Sequence, residues 1–421
     1  MATWRPAVAV AGTAAALAWL GSMALSAPHG KEVRMNRPLV FEKIKVSDER
    51  YESAGVFDVN NGGHPDIVCG AWWYPGPKFD QRYPVGQVRA EGEYYDDFST
   101  IPMDVNGDGY TDFITGGWWG NTIRWRENPK GDPTKEWPEH VIAEVGNVET
   151  TRAWDVDGDG QLEIVPNTPG GPQRVYKLIT DARGRGTGKF KEFVVYDKPS
   201  GHGFGFGDVN GDGRGEIILA KGWLEAPADP LGGKPWTLHE EFDLGSASCP
   251  VIVADVNGDG RAELIVGQAH NYGLDWWEQK LVGGKRQWIK HPIDPANSQY
   301  HDLGWIDIDG DGRPELVTGK RYRAHCGHDP GEFDPIGLYY FKWTGEGFAK
   351  QVIAYGAGLH NFPSAEAAAA AAAVRPLGKG CGIQFQVADL GGNGRLDIVA
   401  PGKDGLVIFK NRGFVEPPKN K

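Results

Sequence analysis

Short apolar runs alternate with polar residues along most of the chain, and each run stops at a turn rich in Gly, Asp or Asn. Alternation with a period of two, bounded by such turns, predicts strands, whereas helices would need apolar residues three and four apart. The turns themselves repeat. They read DVNNGGHPDIV from Asp58, DVNGDGYTDFI from Asp104, DVDGDGQLEIV from Asp155 and DVNGDGRGEII from Asp208. The series continues as DVNGDGRAELI from Asp255, DIDGDGRPELV from Asp307 and DLGGNGRLDIV from Asp389. The first five intervals are 46, 51, 53, 47 and 52 residues, and the sixth is 82.

Each interval holds an apolar stretch before the Asp turn and a β-rich run after it, such as Glu163-Ile164-Val165. A third stretch like Thr122-Ile123-Arg124-Trp125 follows, then a fourth like His140-Val141-Ile142. Four short strands in about fifty residues is the size of a propeller blade. Val40 to Val46 is a strand with no blade of its own, and the last unit stops at a third strand, Leu406 to Phe409. Joining the two leftovers closes a ring and removes an exposed sheet edge. The expected fold is therefore all-β, a seven-bladed β-propeller over 39–412 with four-stranded blades. The long sixth interval carries an inserted low-complexity loop at 357–380, with a short helix in the alanine run Ala367 to Ala373.

The turns also carry chemistry. Oxygen donors at alternate positions around a glycine turn suit calcium, which takes six to eight oxygens. Five turns keep the set: Asp104, Asn106, Asp108, Asp112; Asp155, Asp157, Asp159, Glu163; Asp208, Asn210, Asp212, Glu216; Asp255, Asn257, Asp259, Glu263; and Asp307, Asp309, Asp311, Glu315. The first turn has Gly62 for its third donor, and the seventh has Gly391 and Asn393, so neither is complete. An empty turn held by its own hydrogen bonds is the alternative reading. On these motifs the chain resembles the FG-GAP/VCBS repeat class, which implies propeller blades with calcium loops between their first two strands.

Composition narrows the function. With 61 Gly and 29 Pro in 421 residues the chain has too much turn material for a helical bundle, while 11% aromatic residues still provide a core. A net charge of −12 argues against nucleic acid as a partner. Arg5 followed by the apolar run Ala7 to Ala27, ending near Ala24-Leu25-Ser26, reads as a signal peptide over 1–26 or an uncleaved membrane anchor. The expected location is the periplasm or the extracellular space, with a membrane involved only if the segment stays attached. The four cysteines read equally as one or two bridges or as buried thiols.

If each Asp turn joins the first strand to the second, residues about six before the turn and just after the second strand share the opposite face. That face collects Glu149, Arg152, His202, His301, Trp72, Trp118, Lys221, His270, Lys320, Arg321 and Tyr322. A longer loop adds Arg323, His325, His328 and Asp329. Five of the eleven histidines therefore gather at one mouth of the channel, where propellers bind ligands. Imidazoles there suit zinc or another transition metal.

Gly319 to Glu332, Gly201-His202-Gly203-Phe204-Gly205 and Gln268 to Leu274 are similar to segments of bacterial propellers related to fungal aldos-2-ulose dehydratase. The resemblance implies metal-assisted elimination of water from a keto-sugar. The cupin portion of the fungal enzyme has no counterpart, so elimination rather than isomerisation is expected. On this reading His202, His270, His301, Tyr322 and Arg321 are catalytic, and His325 and His328 bind metal. Arg152, Lys221, Lys320, Trp72, Trp118 and Glu149 meet the carbohydrate. The reading leans to a carbon–oxygen lyase, a sugar dehydratase or glycan lyase. Its alternative is a non-catalytic propeller, stabilised by calcium, that binds a glycan or serves adhesion.

Overall fold

The computed structural model describes residues 37–415 apart from 363, 375 and 376. The expected leader or anchor at 1–26 lies outside the described residues. Among the described residues, no helix is long and apolar enough to cross a membrane.

Seven four-stranded antiparallel sheets follow one another along the chain. In each, the first strand enters the Asp turn and the second leaves it. In the third blade these are Thr150–Trp154 and Glu163–Asn167, followed by Gln173–Thr180 and Gly186–Tyr196. The second strands are buried throughout, for example Asp112–Gly116 and Glu315–Lys320, because neighbouring blades cover both of their faces. The fourth strands alternate exposed and half-buried residues, as in Gly186–Tyr196. This gradient from inside to outside explains why the second runs are continuously apolar and the fourth alternate.

The seventh blade is built from Gln386–Ala388, Asp397–Ala400, Leu406–Phe414 and the N-terminal strand Leu39–Ser47. Leu39 pairs with Phe414, and Ile44 with Ile408, so the two ends of the propeller share one sheet. Apolar clusters fill the spaces between blades. One joins Ile308, Val317 and Leu338 to Phe385, Ile398 and Phe409, so the sixth and seventh blades share a core.

Two features depart from the plain repeat. The first blade ends in a two-residue strand, Tyr83–Pro84, followed by a small hairpin of Ala90–Glu91 and Tyr94–Tyr95. Between the sixth and seventh blades lie a 3-10 turn, Leu359–Asn361, and a helix, Ala365–Val374. All four cysteines are free thiols.

The Asp turns have a hydrogen-bond logic of their own. In the second blade the Asp104 carboxylate accepts the N–H groups of Gly107, Asp108 and Gly109 at 2.8 to 3.1 Å. The last acid, Asp112, accepts the N–H of Val105 at 2.9 Å and that of Asn128 at 2.7 Å. Glu163, Glu216, Glu263 and Glu315 accept the equivalent N–H of Val156, Val209, Val256 and Ile308. A buried carboxylate at this position therefore ties the turn to the second strand.

Candidate functional site

At the end of the blades away from the Asp turns, first strands begin and second strands finish side by side. Thr150 pairs with Asn167, Phe204 with Leu219, and Tyr300 with Lys320. Glu149 and His202 precede such first strands, His301 is the second residue of Tyr300–Ile306, and His270 follows the second strand Glu263–Gly267. Four blades thus bring one side chain each to a common point. One oxygen or nitrogen of Glu149, His202, His270 and His301 lies within 4.8 Å of its counterpart on each of the others.

The hydrogen bonds around the cluster fix which nitrogens carry protons. His202 Nδ1 lies 3.0 Å from the Ala247 carbonyl, and His270 Nδ1 lies 3.1 Å from Asp329 Oδ2. A carbonyl or carboxylate oxygen only accepts, so both Nδ1 atoms donate. In neutral rings the two Nε2 atoms then carry lone pairs, and they face each other at 3.0 Å. Two lone pairs at that distance repel unless a cation lies between them. Glu149 Oε1 adds negative charge to the same point, 2.9 Å from His301 Nε2 and 3.4 Å from His202 Nε2. His301 is fully buried, and its Nδ1 has no partner among the described residues.

Electrostatics disfavour a charge on two of the rings. Burial lowers the pKa of His270, and burial together with the nearby Arg321 guanidinium lowers that of His301 well below the ordinary histidine value. Burial opposes a charge on Glu149, yet His202 and His301 outweigh it and hold its carboxyl well below the usual range. Neutral imidazoles beside an ionised carboxylate form a donor set that fits zinc or another divalent transition metal.

Asp329 organises the outer side. Its second oxygen lies 2.8 Å from His325 Nδ1, and the His325 ring stacks on His270 with centroids 3.9 Å apart. Burial works against its charge, but hydrogen bonds from His270 and His325 pull the Asp329 carboxyl far down. An imidazole whose other nitrogen donates to a carboxylate has its tautomer and orientation fixed, the usual support of a metal-binding histidine.

Other expected members are differently engaged. His328 is exposed and outside the cluster; Asp329, one residue on, takes the inward place beside His325. Arg321 is buried, bonded through two nitrogens to Glu52 at 2.9 and 3.2 Å and 3.7 Å from Glu149. Arg152 is bound to the Cys249 carbonyl and, at 2.7 Å, to Asp302. Lys320 donates to the carbonyls of Gly331 and Asp334, and burial lowers its pKa to about 8. These three cations are buried and hold the site together from behind, although Arg152 Nε has no partner among the described residues. Tyr322 is buried, and its hydroxyl accepts the N–H of His360 at 3.1 Å, which turns it from the cluster. The Arg82 guanidinium covers the Trp72 ring at 4.2 Å. Lys221 stays exposed, 4.0 Å from Asp243, and Trp118 is half-buried with its carbonyl accepting from Asn147 at 2.8 Å.

The pattern of the chain placed Glu149 among substrate contacts, whereas its carboxylate points into the histidine cluster. Asp329 had a signal in its position four residues after His325, but a loop spacing does not reveal that His270 joins them from another blade.

Residues 104–165 and 242–318 match the family described as FG-GAP-like repeat. No curated protein matches the chain. Among solved structures, BBS1N in complex with ARL6DN, soaked with mercury, is 10% identical with a TM-score of 0.49, covering 91% of this chain and 99% of that one. The V. cholerae biofilm matrix protein Bap1 is 17% identical with a TM-score of 0.31, covering 76% of this chain and 43% of that one. The Photorhabdus luminescens Tc holotoxin pore is 16% identical with a TM-score of 0.33, covering 82% of this chain and 16% of that one.

Proposed function

We propose that this seven-bladed propeller of FG-GAP-like repeats is a metal-dependent carbon–oxygen lyase acting on a keto-sugar or uronate-type sugar. The observation that carries the reading is the convergence of three histidines and a carboxylate from four blades, with His202 Nε2 and His270 Nε2 3.0 Å apart beside Glu149. His202, His270, His301 and Glu149 would hold the ion, at the end of the blades away from the Asp turns, the kind of place where propellers bind small molecules.

Elimination beside a carbonyl removes an α-proton and expels an oxygen on the neighbouring carbon. A divalent transition ion, when bound, supplies Lewis acidity toward the carbonyl oxygen. The chain supplies the proton transfers. His325 is half-exposed, keeps its Nδ1 on Asp329, and so has Nε2 available to take or give a proton. Asp329 orients both His325 and His270. Arg321, bound to Glu52, holds positive charge 3.7 Å from Glu149. Lys221 and Trp118 remain at the rim to meet a sugar.

Calcium in at least some of the complete Asp loops, away from the site, is part of the same proposal, with a rigidifying role. Export to the periplasm or the cell exterior rests on residues 1–26.

Incubation with a panel of keto-sugars and uronates tests the reading, since elimination creates a conjugated carbonyl that absorbs in the ultraviolet. New absorbance that falls at least about 100-fold in a folded His325→Ala variant supports it, in line with the usual size of general acid–base contributions. Unchanged turnover in that variant removes His325 from the mechanism. If no member of the panel gives absorbance, the lyase reading fails.

A further inference from the structure

The five complete Asp loops fall into two kinds, distinguished by a residue outside the loop. The second strand pairs with the third through Phe113–Arg126, Ile164–Tyr176, Ile217–Leu224, Leu264–Trp277 and Leu316–Phe341. One step along, the third strand places a residue beside the last acid of the loop. In the second, fourth and fifth blades that residue is Glu127, Glu225 or Glu278; in the third and sixth it is Lys177 or Lys342.

Each glutamate is tied to a histidine of the fourth strand, His140 at 2.8 Å, His239 at 2.7 Å and His291 at 2.9 Å, and Glu127 also accepts from Asn106 of its loop at 3.3 Å. The lysines turn inward instead. Lys177 Nζ lies 2.6 Å from Asp157, 2.7 Å from Asp159 and 3.0 Å from Glu163. Lys342 Nζ contacts Asp309, and lies 3.3 Å from Asp311 and 3.4 Å from Glu315. An ammonium has three N–H donors, and three carboxylates of its own loop surround it in both blades.

The third loop position changes with the partner. It is Asn106, Asn210 or Asn257 beside a glutamate, and Asp157 or Asp309 beside a lysine. The extra negative charge occurs only where a lysine is present to meet it. In the glutamate loops the nearest loop cations, Lys130, Arg214 and Arg261, each pair with a single carboxylate at the fifth position. The incomplete seventh loop has Lys410 one step past the Ile398–Phe409 pair, beside Asp397.

We propose that Lys177 and Lys342 are resident cations that close the loops at Asp155 and Asp307, so that these two loops take no calcium. Calcium needs the same carboxylate oxygens at 2.3–2.6 Å, and the ammonium already occupies the space among them. The assignment rests on the calcium reading of the loops, both for the ions bound by the unaltered chain and for the ion each loop takes once its lysine is gone. No calcium in the unaltered chain or any variant removes that reading, whereas calcium in the unaltered chain with an unchanged count in the variants removes the assignment alone.

Isothermal titration of chelator-treated protein with calcium tests it, alongside Lys177→Met, Lys342→Met and the double variant, each checked for folding by circular dichroism. The expected result is one additional calcium for each lysine removed and two for the double variant. An unchanged count in folded single variants overturns the assignment. Should the unaltered chain bind none while each variant gains one, the lysine assignment stands and the calcium reading of the other loops falls. The reciprocal change, Asn257→Asp with Glu278→Lys, covers the case in which removal of a lysine prevents folding. Loss of one calcium relative to the unaltered chain supports the assignment, and an unchanged count overturns it.

Discussion

A carboxyl group buried without a full set of partners resists ionisation, and Asp97 shows the consequence. It precedes the first strand of the second blade, is almost wholly buried, and has Oδ1 unpaired among the described residues. Burial pushes its pKa up to about 8, although Arg124 and Arg126 oppose the rise. The unfolded chain releases this proton near the ordinary aspartate value of ~3.9. Folding therefore takes up a proton between the two values, and the stability tied to it is full below about pH 4 and lost as pH rises through about 8. Asp97→Asn keeps the shape and removes the titration. Denaturant midpoints across that range should decline less steeply in the variant; equal slopes would show that Asp97 is not the group. At this scale the sequence was legible in part. Strand length and the Asp turns show that Glu149, His202, His270 and His301 share a face. They do not show that Arg321 pairs with Glu52, 269 positions away, because that contact exists only once the ring has closed. For the same reason the engagement of Arg152 and Lys320, two of the cations expected to meet a substrate, was not legible: their partners come from another blade or from loop carbonyls.

At the scale of the element, the blade was readable because each strand carries a different burial pattern. The second strands are continuously apolar, the fourth alternate, and the Asp turn marks the boundary between the first two. The irregular parts were not readable, since the hairpin of Ala90–Glu91 and Tyr94–Tyr95 belongs to no repeat. The closing strand Leu39–Ser47 bears the greatest structural demand of any single element. It pairs along Leu406–Phe414, packs Phe41 and Ile44 against neighbouring clusters, and covers what is otherwise an open edge. A chain beginning after Ser47 should lose its cooperative unfolding transition and elute as aggregate on gel filtration. A monomeric, cooperatively folding product would mean that the seventh blade stands on three strands.

For the whole molecule, the ring separates two kinds of acidic chemistry onto opposite ends of the blades. The Asp turns lie at one end, where backbone N–H groups, lysines and any calcium serve stability. Histidines, Glu149 and Asp329 lie at the other, where a deeply buried carboxylate is surrounded by imidazoles. The repeat made the first end legible seven times over, whereas the second is assembled once: Glu149, His202 and His301 share the position six before the Asp turn, but His270 and Asp329 come from other places in their blades. The central claim is that this single cluster holds a metal ion. The direct measurement is elemental mass spectrometry of protein purified without added metal, compared with folded His270→Ala and His301→Ala variants. The account predicts about one equivalent of a transition metal in the unaltered protein, lost from both variants while calcium is unchanged. A protein free of transition metal that also takes up none on addition of zinc or manganese would contradict it.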